Sequence, residues 1–208
     1  MDLNKPCISL VIGGTRSGKS KFGETLVSSY GKKILYVATS AVLDPEMSER
    51  VRRHKQDRPS DWITLETYRD FDQNLPPYGD KVEGIFVDCI TLMITRLMME
   101  KKDINWDDIT QEELIKAEED IHNEIDKLLI SLKKIGKPSV LITNEVGCGI
   151  VPEHRMARDF RDIAGRINQK IAKDVMDVYW VVAGIPVKIK SSDSSTDSGK
   201  TIDVYGGV

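Results

Sequence analysis

A chain of 208 residues, 40% apolar and 30% charged, has enough apolar material for one globular core and nothing that calls for a second domain. Its 30 basic and 33 acidic residues give a formal charge of −3, which leaves no electrostatic footprint for nucleic acid and favours a small-molecule substrate. Three scattered cysteines (Cys7, Cys89, Cys148) without a C-x-x-C pair, no basic-then-apolar leader and no apolar run of ~18 residues predict reduced core or near-core thiols in a cytoplasmic protein without a membrane span.

In chain order, the apolar run Ile8, Leu10, Val11, Ile12 predicts a buried strand, and Phe22, Leu26, Val27 open a helix. Between them stands Gly13-Gly14-Thr15-Arg16-Ser17-Gly18-Lys19-Ser20. Strand before and helix after are the context in which G-x-x-x-x-G-K-[ST] cradles phosphate. Glycines let backbone N–H groups converge on phosphate oxygens, the lysine reaches the β/γ-phosphates, and the serine hydroxyl ligates Mg²⁺. Gly31 then reads as a helix C-cap, and Lys33 to Ala38 as a second buried strand ending in Thr39-Ser40. Two hydroxyls at that end of a strand lie where α/β sheets bind ligands, although a simple turn explains them equally well.

Asp44-Pro45-Glu46 predicts a helix start that runs to about Asp57 and stops at Pro59. Met47, Val51 and His54 share one face of this strongly basic helix while Arg52, Arg53 and Lys55 look elsewhere, and Arg50 and Arg58 lie four residues to either side of the histidine, close enough to stack above and below it. A lone histidine on an inward face is ordinarily a core residue. Among these cations and downstream of a phosphate loop, His54 can instead meet a polyphosphate, and the cations keep it neutral.

Trp62 to Glu66 alternates like a strand, Asn74 to Gly79 reads as a polar loop, and Gly84 to Asp88 is an apolar strand closed by one acid. In P-loop proteins an acid in that place holds Mg²⁺, directly or through water, so Asp88 joins Ser20 as a candidate metal residue. Thr91 to Glu100 is almost wholly apolar, fitting an oligomer contact, a wall for a large greasy substrate, or core. From about Asp107 a long amphipathic helix carries Leu114, Ala117, Ile121, Ile125, Leu128, Leu132 and Ile135 inward. Ser139 to Thr143 predicts another buried strand, leading into a Gly- and Glu145-containing loop placed for an active site. A helix with Met156, Phe160, Ile163, Ile167 and Ile171 inward follows, its arginines read as solvated charge. The strand Val178 to Ala183 and an edge strand from Ile185 to Lys190 complete the pattern. Beyond Ser191 the composition turns polar, predicting a mobile tail over 191–208 after a single domain spanning 1–190. Strands alternating with helices behind a P-loop predict an α/β P-loop NTPase with a RecA-like, mostly parallel sheet flanked by helices.

These blocks, in this order, resemble the bifunctional adenosylcobinamide kinase and adenosylcobinamide-phosphate guanylyltransferase family of cobalamin biosynthesis. The resemblance rests on Gly13 to Ser20, Tyr36 to Ser40, the Asp44 to Pro59 helix, Trp62 to Glu66, Asp88 to Thr91, Thr143 to Gly147, Arg161 to Gln169 and Val182 to Lys190. It implies two reactions at one nucleotide site. ATP or GTP phosphorylates adenosylcobinamide, and GTP then guanylylates His54, which passes GMP to adenosylcobinamide phosphate. By the same resemblance Ala38, Thr39, Ser40, Lys55, Arg58, Glu66 and Asp88 join the P-loop in holding nucleotide, with Mg²⁺ at Ser20 and Asp88, and the enzyme is a homo-trimer. Without guanylyl transfer the pattern fits a P-loop kinase of another specificity.

Overall fold

The computed structural model describes residues 7–40, 59 and 61–191. The predicted helix carrying His54, Lys55 and Arg58 and the tail from residue 192 lie outside the described residues. Among the described residues seven strands make one sheet: β1 (Ile8–Gly13), β2 (Ile34–Ala38), β3 (Ile63–Glu66), β4 (Gly84–Asp88), β5 (Ser139–Asn144), β6 (Asp177–Val182) and β7 (Ile185–Lys190). Their spatial order is β3-β2-β4-β5-β1-β6-β7. All neighbouring pairs are parallel except β6 and β7, which run antiparallel. Strand β5 therefore stands between the P-loop strand β1 and the acid-bearing β4, the RecA-like arrangement. Uninterrupted apolar runs such as Ile85-Phe86-Val87 and Val140-Leu141-Ile142 suit this position, since central parallel strands are covered on both faces.

Among the described residues five helices flank the sheet: α1 (Lys19–Ser28), the one-turn α2 (Phe71–Asn74), α3 (Ile90–Met99), α4 (Gln111–Ile135) and α5 (Arg155–Asp174). One face of the sheet, with Ile8, Leu10, Leu35, Val37, Ile85, Val87 and Leu141, packs against α3, α4 and α5. On the other, Val11, Tyr36, Phe86, Val140 and Ile142 meet α1 through Val27, with Phe22, Leu26 and Trp62 at its margin.

Several boundaries differ from the sequence reading for local reasons. Helix α1 stops at Ser28 with a right-handed cap at Ser29, so Gly31 is no C-cap. What Gly31 requires is space: a Cβ there would lie 2.5 Å from Glu83 Cβ. The predicted loop at Asn74–Gly79 is instead α2 followed by a 3-10 turn over Pro76–Lys81, nucleated by Phe71 and Leu75, both fully buried. Helix α4 begins at Gln111 rather than near Asp107. Thr110 and Glu113 form a reciprocal capping box there, while Trp106–Asp108 make a separate 3-10 turn. The apolar stretch on α3 is core: Ile90, Met93, Ile94, Leu97 and Met98 are all buried. It therefore offers neither a subunit contact nor a substrate wall at those positions. At the last turn Ala183 and Gly184 have φ of 51° and 82°, a tight two-residue hairpin that ends β6 one residue before the predicted end. Pro186 sits on the edge strand, as its missing N–H demands.

Glycine at position 23 sets how closely α1 approaches the sheet. A Cβ there would lie 2.5 Å from Ile142 Cδ1 and 2.9 Å from Phe86 Cε2, both in the dense core. Gly23→Val gains little helix propensity because valine is β-branched, so overpacking decides the sign. The expected outcome is a loss of about 2 kcal/mol in urea unfolding, with an unchanged m-value.

Candidate active site

The P-loop emerges from β1 and curls into α1. Arg16 has a φ of 59° and Gly18 a φ of 92°, left-handed turns that aim successive backbone N–H groups into one concavity. The peptide N–H of Ser17 donates to Gly14 O at 3.2 Å and tightens the bend. Gly13 cannot carry a side chain, because a Cβ would lie 2.5 Å from Val181 O and 2.6 Å from Ser17 Oγ. Behind the loop stands the β6–β7 turn: Gly184 N donates to Ser17 O at 2.8 Å, and a Cβ on Gly18 would touch Gly184 Cα at 3.0 Å. Thr15 and Arg16 are partly or fully open to solvent on the rim, with Gly14 beside them facing free space.

Lys19, largely buried, bends its Nζ back to Gly14 O at 3.2 Å, which lays the ammonium across the cradle. Ser17 Oγ is buried with no hydrogen-bond partner among the described residues, an orphan hydroxyl inside the loop. Ser20, the second residue of α1, is half-buried at the helix start, where the positive end of the macrodipole adds to the lysine. The donor set suits a polyphosphate.

The other partners follow from strand alternation. Phe86 faces α1, and so does Asp88 two residues on. Tyr36, buried on the same face, donates its hydroxyl to Asp88 Oδ2 at 2.8 Å. One carboxylate oxygen is thereby fixed, on the face of the sheet that carries α1. An acid held this way, with a serine hydroxyl opposite, suits a hard, oxygen-loving divalent cation such as Mg²⁺. Lys19 and Asp88 act in opposite senses on Cys89: burial first, and the Asp88 charge second, push this thiol up to about 12, with Lys19 partly offsetting them. Cys89 is thus inert at neutral pH, and no thiol nucleophile stands beside the acid.

Along the carboxyl edge, Ala38 pairs with both Glu66 on β3 and Asp88 on β4. Glu66, Ala38, Asp88, Asn144 and Gly13 therefore stand on five successive strand ends, spanning about 19 Å at the usual ~4.8 Å spacing. Such a row can meet both ends of a nucleotide. Ser40 is half-buried at this edge, but Thr39 is fully buried and its hydroxyl is committed elsewhere. It donates to Cys89 O at 2.7 Å and accepts from Cys89 N at 2.8 Å. That side chain clamps β2 to the end of β4, in place of the ligand contact expected for a strand-end hydroxyl. Next to Glu66, Arg96 lies with its guanidinium carbon 3.5 Å from the Tyr68 ring centroid. Burial, opposed by Glu66, lowers its pKa.

A polar cluster unannounced by any motif ties the site together. Asn144 N donates to Thr91 Oγ1 at 2.7 Å, and Thr91 and Thr143 hydroxyls meet at 3.2 Å. Thr143 Oγ1 donates to Asn168 Oδ1 at 2.8 Å, and Asn168 Nδ2 returns to Asn144 O at 3.2 Å. The four bonds run one way round a closed ring that joins α3, β5 and α5. One residue on, Glu145 N donates to Gly13 O at 3.1 Å, so the ring also fixes the β5–α5 loop against the P-loop. Only the spacing Thr143-Asn144 before a glycine loop hinted at this in sequence; Tyr36, Thr91 and Asn168 carried no signal outside their blocks.

Past Glu145, whose carboxylate accepts from Gly147 N at 2.6 Å, the loop opens to solvent, with Ile150 96% and Val151 61% exposed. Cys148 is exposed there, unlike the near-core thiol expected. Arg158 on α5 binds the loop carbonyls of Pro152 and Glu153, and Arg166 binds Glu118 with both Nε and Nη2, so these arginines serve local structure.

A family model described as cobinamide kinase / cobinamide phosphate guanyltransferase matches residues 9–189, which takes in every element bearing on the site. The chain belongs to this family. Within the cobinamide kinase family it is 42% identical over 185 residues to the bifunctional adenosylcobalamin biosynthesis protein CobU of Escherichia coli (strain K12), covering 87% of this chain and 98% of the relative. It is 44% identical over 181 residues to CobU of Salmonella typhimurium (strain LT2), again across 87% and 98%. The bifunctional protein CobP of Pseudomonas aeruginosa (strain PAO1) is 33% identical over 181 residues, covering 87% and 96%. The matched span includes the segment of His54, Lys55 and Arg58, which lies outside the described residues. Among the described residues no helix is long and apolar enough to cross a membrane, and no group of three or more His, Cys, Asp or Glu residues forms a metal cluster.

The two environments of Cys89 and Cys148 give a direct check on the site's electrostatics. At pH 8 a thiol raised to about 12 is ionised in only about one molecule in ten thousand. Iodoacetamide is expected to alkylate the exposed Cys148 and leave Cys89 unmodified in the folded protein, as read by peptide mass spectrometry. Labelling of Cys89 at a comparable rate contradicts the buried placement beside Asp88.

Proposed function

We propose that this chain is a cytoplasmic, bifunctional enzyme that phosphorylates adenosylcobinamide and then guanylylates the product. In the first step the hydroxyl oxygen of adenosylcobinamide bonds to the terminal phosphorus of ATP or GTP. The bond to the bridging oxygen breaks, nucleoside diphosphate leaves, and the hydroxyl proton is released to solvent. In the second, an imidazole nitrogen of His54 attacks the α-phosphorus of GTP, and pyrophosphate departs. The phosphate oxygen of adenosylcobinamide phosphate then displaces the histidine, giving adenosylcobinamide-GDP. A neutral imidazole is a competent nucleophile for phosphorus, and the resulting phosphoramidate is reactive enough to pass its nucleotide on.

The reading is supported by a P-loop whose buried Lys19 bends back to Gly14 O and by Asp88 held by Tyr36 at the end of β4, in a chain whose family match spans residues 9–189. Lys19 and the loop amides bind the β- and γ-phosphates, which are transferred in one step and leave in the other. Ser20 and Asp88 would hold Mg²⁺, whose charge offsets that developing on the phosphate oxygens. Tyr36 keeps the Asp88 carboxylate in one orientation for that task. Glu66, Ala38 and Ser40 would hold the guanosine end of the nucleotide, and Lys55 and Arg58 would stabilise charge near the α-phosphate. With α3 consigned to the core, the exposed part of the β5–α5 loop is the better place for the bulky acceptor. One domain over residues 1–190 carries both activities, and three copies assemble.

The deciding experiment is incubation with α-labelled GTP. Wild type is expected to retain label that is acid-labile and base-stable, His54→Ala to retain none, and Lys19→Ala to lose both labelling and corrinoid phosphorylation by at least about a hundredfold. Equal labelling of His54→Ala and wild type removes that histidine from the mechanism. Loss of labelling with the kinase step intact leaves a kinase alone.

A further inference from the structure

The ring around Asn144 leaves one group unexplained: the carboxamide of Asn144 itself. Its backbone is held at both ends, the N–H by Thr91 and the carbonyl by Asn168. Its side chain makes no hydrogen bond to any described residue. Parity places that side chain. Thr143 pairs with Ile12 and bonds to Asn168, on the α5 face, so Asn144 points to the opposite face with Ile142 and Val140. That is the α1 face, and α1 lies directly over this strand, since a Cβ on Gly23 would meet Ile142 Cδ1. One helical turn back from Gly23 along α1 brings Lys19 and Ser20 above Asn144. Gly13 is its register partner on one side, and on the other Asp88 ends β4 alongside Ile142.

Resting on the reading of the P-loop as the nucleotide site, we propose that Asn144 is a further catalytic residue. Its amide N–H donates to an oxygen of the terminal phosphate, between Lys19 and Asp88. An uncharged donor has a distinct use here. Lys19 supplies fixed charge, whereas a carboxamide locked by its own backbone directs a hydrogen bond without adding a proton that can be lost. Preorganisation is the purpose of the ring: with both peptide groups of Asn144 tethered, its Cα–Cβ bond keeps its aim toward the α1 face. Thr91 is accordingly a positioning residue. It links the segment just after Asp88 to the strand end beside Gly13, so that the metal-side and phosphate-side groups keep one spacing.

Asn144→Asp and Asn144→Ala test the contact, and Thr91→Val with Thr91→Ser test the ring. The first readout is independent of corrinoid turnover: the ³¹P resonances of Mg·ATP bound to the full chain. Wild type and Thr91→Ser are expected to share one γ-phosphate shift, from which Asn144→Ala and Thr91→Val depart, while the α-phosphate resonance stays put. In turnover, Asn144→Ala is expected to lower kcat of phosphorylation and of pyrophosphate release by about a hundredfold, with ATP affinity changed less than about tenfold. Asn144→Asp, which keeps shape but adds negative charge, falls further. Thr91→Ser is expected to recover the rate that Thr91→Val loses. An unchanged γ-phosphate shift with wild-type kcat in Asn144→Ala overturns the proposal. So does an equal effect of Thr91→Ser and Thr91→Val. A wild type that binds ATP with the Asn144-dependent shift, yet phosphorylates no corrinoid, refutes the assigned reaction and leaves the contact standing.

Discussion

Four hydrogen bonds, all running in one sense, hold the end of strand β5 between two helices, and the geometry of the site depends on them. Strand β5 lies between β1, which delivers the P-loop, and β4, which delivers Asp88. Any slip of that middle strand would move one half of the phosphate site relative to the other. The ring of Asn144, Thr91, Thr143 and Asn168 prevents it where the strand leaves the apolar layer. In a low-dielectric setting an unpaired member would cost about 1–3 kcal/mol, so the ring holds as a unit or fails as one.

The two faces of the sheet divide the labour. One is a thick apolar layer under α3, α4 and α5, and it supplies most of the burial. The α1 face is thinner and richer in aromatic rings, with Tyr36, Phe86 and Trp62 in mutual contact. Its chemistry lies at the carboxyl edge, where polar groups follow directly on buried apolar ones. Phe86 gives way to Asp88, Ile142 to Asn144, and Val11 to Gly13, each two residues on and on the same side. The site is thus a continuation of the core pattern with the side chains exchanged.

The parts of the molecule legible in its sequence were those with a strong period or a motif. The P-loop, the six parallel strands and the edge hairpin follow from apolar runs bounded by glycine, and Asp88 from its place at a strand end. What escaped depended on distance in the chain. Thr39 reads as a ligand-facing hydroxyl until its partner, fifty residues away on Cys89, is seen. Asn168 lies among charged residues of an amphipathic helix and gives no sign that it reaches β5. The apolar face of α3 read as a possible interface because nothing local shows that α4 and α5 close over it. Gly31 illustrates the reverse error. A glycine after a helix suggested a cap, whereas the true constraint was a close neighbour, Glu83, just before β4.

The turn between β6 and β7 rests against the back of the P-loop through Gly184. The loop between β1 and α1 is thereby braced by a turn far along the chain, between the last two described strands. A nascent chain that has emitted its first strand holds the whole phosphate-binding motif but not the buttress that shapes it. Nucleotide capture by the finished loop therefore waits until the β6–β7 turn has been made and has folded back against it.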